Sequence, residues 1–257
     1  MFRKLILAAI ALVATMSVAG AADLPGPPAQ ADDGWRFTFA PYVWAAGLDG
    51  KVEQFGLPEV EIDASFGDVL KSFDIGLMGV GEARNGRFGI AADLFWVKLS
   101  AEQDTPLGLL ADSVDAEVET LMLTAVGSYS LFLDETANLD IVAGGRLWSV
   151  DTELSLDGGN LDGRTASDGD TWVDPVVGLK GRANLSPEFY LTGWGLIGGF
   201  DVSSKFMWDA LAGLGYAPSE SFSIVAGYRG LGVDYSDDGF DYDVVQHGPL
   251  LGFVFNF

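Results

Sequence analysis

The sequence predicts an all-β fold: an antiparallel up-and-down transmembrane β-barrel of about ten strands, bounded by about eight and about twelve. Three observations carry this. The last stretch, Tyr242 to Phe257 (YDVVQHGPLLGFVFNF), places Phe257, Phe255, Phe253, Leu251 and Pro249 on one face and Asn256, Val254, Gly252, Leu250, Gly248 and Gln246 on the other, the two-residue period of a strand. The chain carries 34 Gly and 12% aromatic residues, yet after its first segment no stretch approaches the ~18 uninterrupted apolar residues of a membrane helix. From Trp35 onward short alternating segments are separated by turn residues, which is strand and hairpin patterning. An aromatic carboxyl end needs an apolar receiver, and closing that strand against the first one leaves no open edge.

In chain order, Met1–Ala22 (MFRKLILAAIALVATMSVAGAA) has a basic start at Arg3 and Lys4, an apolar run from Leu5 to Val18, and small residues at Ala19, Ala21 and Ala22. That is a signal peptide, so the chain is exported. With no Cys, disulfides do not stabilise the exported chain and no thiol chemistry is available. Net charge is −23, or about −25 once Arg3 and Lys4 leave, which argues against nucleic acid and polyanions as partners. Residues 23–34 (DLPGPPAQADDG) read as a loose lead-in, and residues 35–257 as a single barrel domain.

The first barrel segment, WRFTFAPYVWAAGL, sets Trp35, Phe37, Phe39, Pro41 and Val43 opposite Arg36, Thr38, Ala40, Tyr42 and Trp44, an aromatic face against a more polar one. In Lys51–Asp74, Val52 to Phe66 would extend a hairpin and GDVLKSFD would form a helical turn. Ile75–Arg84 and Arg87–Ser100 flank Asn85-Gly86, a pair that tolerates the positive φ of tight turns. Further arms run over Val114–Phe132, Leu139–Leu154, Thr171–Ala183, Phe189–Val202, Phe206–Tyr216, Phe222–Tyr235 and the terminal strand. Two membrane strands within Val52–Phe66 would raise the count to about twelve, and a non-spanning Phe189–Tyr216 hairpin would lower it to about eight.

Charges in strand centres are informative because an isolated buried charge costs several kcal/mol unless paired. Opposite the apolar faces lie Glu82, Arg84, Arg146, Asp174, Lys180, Arg182, Asp209 and Arg229, expected to line the lumen. Such groups either select solutes along a water path or cross-pair and plug it. A barrel of about eight strands is just wide enough for its side chains, whereas wide channels need about sixteen, which favours a filled lumen. Trp35, Tyr129, Trp208, Tyr216, Tyr228 and Phe257 are positioned for aromatic belts. Acidic residues gather between Asp151 and Asp170 and between Asp234 and Asp243, expected to be external loops. Divalent cations are a candidate partner there, but neither stretch has the DxDxDG spacing with a later Glu, so a solvated, self-repelling loop is the stronger reading. His247 is the sole histidine. With Ser236, Asp234 and Asp243 near it in sequence but no nucleophile motif, it reads as a boundary residue. No phosphate loop, zinc spacing or dinucleotide fingerprint occurs, so no cofactor and no catalytic or metal residue is expected.

The terminal strand, with Phe253, Phe255 and Phe257 alternating to the end of the chain, resembles that of the bacterial outer-membrane β-barrel family, small OmpA- and OmpW-like barrels. The resemblance implies a Gram-negative type outer membrane, lipid contact around the wall, and recognition of the terminal strand by the barrel-assembly machinery. It also implies short periplasmic links, here RNG, DETAN, LSPE and APSE, and longer external ones, with Ser203-Ser204 the exception. The function expected is a non-enzymatic structural or surface role with a charged, largely filled lumen. The alternatives are a narrow porin-like channel for small or cationic solutes and a lipid-modifying enzyme dependent on His247.

Overall fold

The computed structural model describes residues 34–104 and 111–257; the expected signal peptide, residues 1–22, and the expected lead-in up to residue 33 lie outside the described residues. Among those described, the chain forms β1 Arg36–Trp44, β2 Gly47–Glu53, β3 Val60–Ala64, α1 Phe66–Lys71, β4 Phe73–Asn85, β5 Phe88–Asp104, β6 Ser113–Leu133, β7 Ala137–Asp157, β8 Arg164–Asn184, β9 Phe189–Gly199, β10 Phe206–Ser219, β11 Phe222–Asp237 and β12 Phe240–Asn256. β4 to β12 pair in sequence, and β1 pairs with both β4 and β12, giving a closed ring of ten antiparallel strands. The closing seam joins the ends of the barrel's chain: the Phe37 amide donates to the Phe257 carbonyl at 3.2 Å, and the Phe257 amide to the Phe37 carbonyl at 2.9 Å. Every wall strand therefore has two neighbours over at least part of its length, with residues 73–78 of β4 paired to β5 alone, which removes most of the open edge that would otherwise pair with other chains.

The count of ten follows from how Lys51–Asp74 folds. β1 breaks at Ala45-Ala46 and resumes as β2 along the upper part of β12. β3 folds back on β2, so this hairpin stands on the rim and adds nothing to the wall. α1 supplies the helical turn and leads into β4. β9 and β10 pair with their neighbours along their length, so the Phe189–Tyr216 hairpin belongs to the wall.

The two acidic stretches depart from the sequence expectation. β7 continues to Asp157 and β8 starts at Arg164, leaving only residues 158–163 as a loop, and β11 and β12 meet at Asp238-Gly239. Asp238 (φ 40°) and Gly239 (φ 89°) are both left-handed, the geometry of a two-residue hairpin turn whose twist matches its strands. Carboxylates on a solvated strand face do not interrupt pairing, so the ladder runs on past the apolar zone. β6, β7 and β8 span 21 residues each and β9 spans 11. At about 3.3 Å per residue, the first three reach about 70 Å along the strand, roughly twice the length of β9.

Alternation sorts the side chains. Trp44, Met122, Trp148, Met207 and Leu231 point inward and are buried, whereas Phe37, Phe39, Val43, Ile75, Leu77, Leu251, Phe253 and Phe255 point outward and are exposed. Trp35, Tyr129, Tyr216, Tyr228 and Phe257 also stand exposed on the outer side. The result is an apolar, aromatic outer zone, far wider than the patches a soluble monomer leaves uncovered.

Candidate functional site in the barrel interior

Charged and aromatic side chains meet in the interior in three tiers. The middle tier is centred on Asp209 of β10. Its carboxylate accepts from Arg229 Nε at 3.1 Å, Arg229 Nη2 at 2.7 Å, Arg146 Nη2 at 2.5 Å and Trp194 Nε1 at 2.9 Å. Arg229 continues across the lumen, donating to Asp93 at 2.8 Å and to the Tyr42 hydroxyl at 2.9 Å, and that hydroxyl donates to Asp93 at 2.8 Å. Arg146 Nε donates to Thr124 Oγ1 at 2.7 Å. Side chains from β1, β5, β6, β7, β9, β10 and β11 thus meet in one network. Arg146, Asp209 and Arg229 are each about 1% exposed, so their charges are removed from water and depend on one another.

Toward the short-turn end lies a second tier. Arg84 of β4 pairs with Asp140 of β7 and, at 3.1 Å, with Glu82; Lys180 of β8 reaches Glu82 at 2.6 Å. Ser130 joins Arg84 to Asp140, accepting from Arg84 Nη1 at 2.7 Å and donating to Asp140 at 2.7 Å. The Arg182 guanidinium lies 3.5 Å from the Tyr190 ring centroid, a cation–π contact in which the ring face replaces a carboxylate as the partner.

The third tier, toward the long-strand end, is aromatic. Trp172 stacks between Trp148 at 5.6 Å and Tyr235 at 3.9 Å, with Phe240 and Tyr242 at its edges. Asp174 beneath accepts from the Ser204 amide at 2.8 Å and hydroxyl at 2.6 Å, and Ser204 Oγ accepts from Trp172 Nε1 at 2.9 Å. Ser204 is in the turn joining β9 to β10, so the shortest hairpin of the wall is what positions Asp174. Above it, Tyr235 donates to Asp170 at 2.6 Å, and the Phe55 amide donates to Asp168. The β2–β3 link thereby reaches across to β8.

The eight interior positions named from the sequence all lie in these tiers, divided among them. Sequence reasoning missed Asp93 and Asp140, and it set Tyr42 on the inward face without naming it among the interior partners. Asp93 lies in ADLFWVK, where both faces are apolar and parity is hidden; Asp140 follows a turn whose acidic residues mask it. A balance test would have found them, since five interior cations call for matching anions. His247 is on the outer wall, with Tyr228 Oη 2.6 Å from Nδ1 and Asp49 3.4 Å from Nε2; the sequence neighbours Ser236, Asp234 and Asp243 are not its hydrogen-bond partners. Among the described residues no group of three or more His, Cys, Asp or Glu side chains is arranged to hold a metal ion.

The outer-membrane protease OmpT from Escherichia coli shares the fold, at 12% identity over 88% of this chain and 98% of that chain, with a TM-score of 0.55. Ail, the attachment invasion locus protein of Yersinia pestis, aligns at 14% identity over 88% of this chain and 99% of its own, with a TM-score of 0.37. The Neisserial surface protein A aligns at 14% identity over 87% and 99%, with a TM-score of 0.33. At these identities the likeness is one of fold. No protein-family model matches the chain, and no curated protein matches it.

Proposed function

We propose that this protein is an outer-membrane β-barrel with a structural or surface role, its lumen largely filled by its own charged side chains. The observation that carries the reading is the middle tier, in which Tyr42, Asp93, Arg146, Asp209 and Arg229 bond to one another from opposite walls. Ion pairs that span a narrow lumen occupy the space a solute would need. Lipid is the receiver for the apolar outer zone, and the terminal Phe253, Phe255 and Phe257, displayed outward, suit recognition by the barrel-assembly machinery. His247 fits a boundary role, its ring stacked on Tyr228 at 6.0 Å where the apolar zone gives way to Asp49 and Asp243. A non-enzymatic role accords with that placement; loss of lipid turnover in His247→Ala would argue for the enzyme instead.

A second reading, a narrow channel for small or cationic solutes, draws on four buried polar atoms that have no hydrogen-bond partner among the described residues: Ser128 Oγ, Arg146 Nη1, Trp148 Nε1 and Gln246 Oε1. Polar atoms of this kind suit a thread of water. Beyond the apolar zone, Glu117 faces Glu153 and Glu119 faces Asp151, a field that favours cations, divalent ones included, over anions. Potassium and maltose efflux from vesicles containing the refolded protein separates the readings. The filled barrel retains both solutes; potassium release from the native protein would favour the channel.

A further inference from the structure

The wall splits where β1 and β4 part. Their ladder ends at Pro41 opposite Gly79; from there β1 leads into β2, paired to β12, while β4 continues along β5. α1 bridges this wedge. The chain enters it over Gly47, where an added Cβ would meet the Ala64 carbonyl oxygen at 3.0 Å and the Phe66 amide at 3.4 Å. Gly47 is paired with the outward-facing His247, so that missing side chain points outward and α1 starts on the outside of the wall.

No residue of α1 is buried. Phe66 and Leu70, four apart, share a face and are 41% and 57% exposed. Asp68 falls on the opposite side and is held to Lys71 at 2.9 Å. A helix of this length is marginal in water, and two large uncovered apolar groups add to its cost there. The chain passes from α1 directly into β4, whose Ile75 and Leu77 are exposed, as is Val43 of β1 on the other side of the wedge. We propose that α1 is a foot on the membrane surface: Phe66 and Leu70 insert among the lipid acyl chains of the leaflet at the long-strand rim, with Asp68 and Lys71 turned to water. The short amphipathic helix then seals the wall with lipid at the point where strand pairing is interrupted. This rests on the outer-membrane reading.

The absence of Cys from the sequence makes single nitroxide labels unambiguous. Leu70→Cys, Asp68→Cys, Leu77→Cys and Glu117→Cys are each labelled in the full barrel in liposomes, folding is checked by heat-modifiable gel mobility, and collisions with oxygen and with a water-soluble nickel chelate are compared. The expected oxygen-to-nickel ratio at Leu70 matches that at Leu77 and stands well above those at Asp68 and Glu117. A high ratio at Leu77 with a low one at Leu70 would overturn the foot and leave the membrane reading standing. A low ratio at Leu77 would overturn the membrane reading and the foot with it. A Leu70 label shielded from both reagents would mean that protein, such as a second copy, covers the helix, and would also overturn the proposal.

Discussion

Asp209 neutralises two arginines at once, and its removal would leave both Arg146 and Arg229 buried without that partner. Taking one member from a buried ion pair costs about 3–5 kcal/mol, so Asp209→Ala is expected to destabilise the barrel by at least that much in urea unfolding. Arg146→Ala in the Asp209→Ala background is expected to recover part of the loss, because it removes one stranded charge. At the rim, burial pushes the Tyr242 phenol up to about 12. A raised phenol pKa stabilises the fold fully below the unfolded value near 10 and loses that contribution as pH rises through about 12. Stability is therefore expected to fall over that alkaline window, and Tyr242→Phe to remove this part of the fall. Which residues do this was half legible in the sequence. Cations in apolar strands stood out at Arg146 and Arg229, because an unpaired charge there is too costly to be accidental. Asp93 was hidden, since an Asp beside Leu94, Phe95 and Trp96 gives no parity signal; Tyr42 was placed on the more polar face, but nothing marked its hydroxyl as a partner of Arg229.

The strands were legible as elements where apolar residues alternate, and illegible where alternation passes into water. The stretch 151–170 looked like a loop because Gly and Asp are turn formers, yet β7 and β8 continue through most of it: pairing needs only backbone and a neighbour. This extension places like charges directly opposite each other, Glu117 against Glu153 and Glu119 against Asp151, with Lys98 2.6 Å from Glu117 as a partial offset. Directly opposed like charges destabilise a ladder. Glu153→Lys is expected to raise stability by about 0.2–1 kcal/mol at low salt, with the gain shrinking as ionic strength rises in thermal scans. The junction of β12 with the β1–β2 break depends on a missing side chain: a Cβ on Gly248 would collide with the Ala45 carbonyl oxygen. Gly248→Val is expected to reduce refolding yield sharply, measured as the heat-modifiable fraction on a gel.

At the scale of the molecule, charge is separated from the apolar outer face by geometry. The interior has Arg84, Arg146, Lys180, Arg182 and Arg229 set against Glu82, Asp93, Asp140, Asp174 and Asp209, with Asp168 and Asp170 above them toward the rim, so charge is close to balanced among these groups although the whole chain carries −23. Balance inside permits packing. Excess outside keeps the projecting strands solvated and apart from other acidic surfaces. Ring closure and strand direction were legible from the terminal strand and the rhythm of turns, and so were a hairpin over Val52–Phe66 and a helical turn in GDVLKSFD; whether that hairpin entered the wall or stood on the rim was not, because Lys51–Asp74 mixes turn, strand and helix signals over short runs. A ten-strand barrel is only slightly wider than one its own side chains fill, and on the proposed reading the tiers close the lumen.

Single-channel recording in a planar bilayer tests that closure most directly, using protein whose folding and insertion are established by gel mobility and protease protection. The account predicts silence from the native barrel, and brief openings only when the middle tier is cut, as in Arg146→Ala combined with Asp209→Ala. Discrete, cation-selective steps from the native protein would contradict it and make the interior charges the lining of a conducting path.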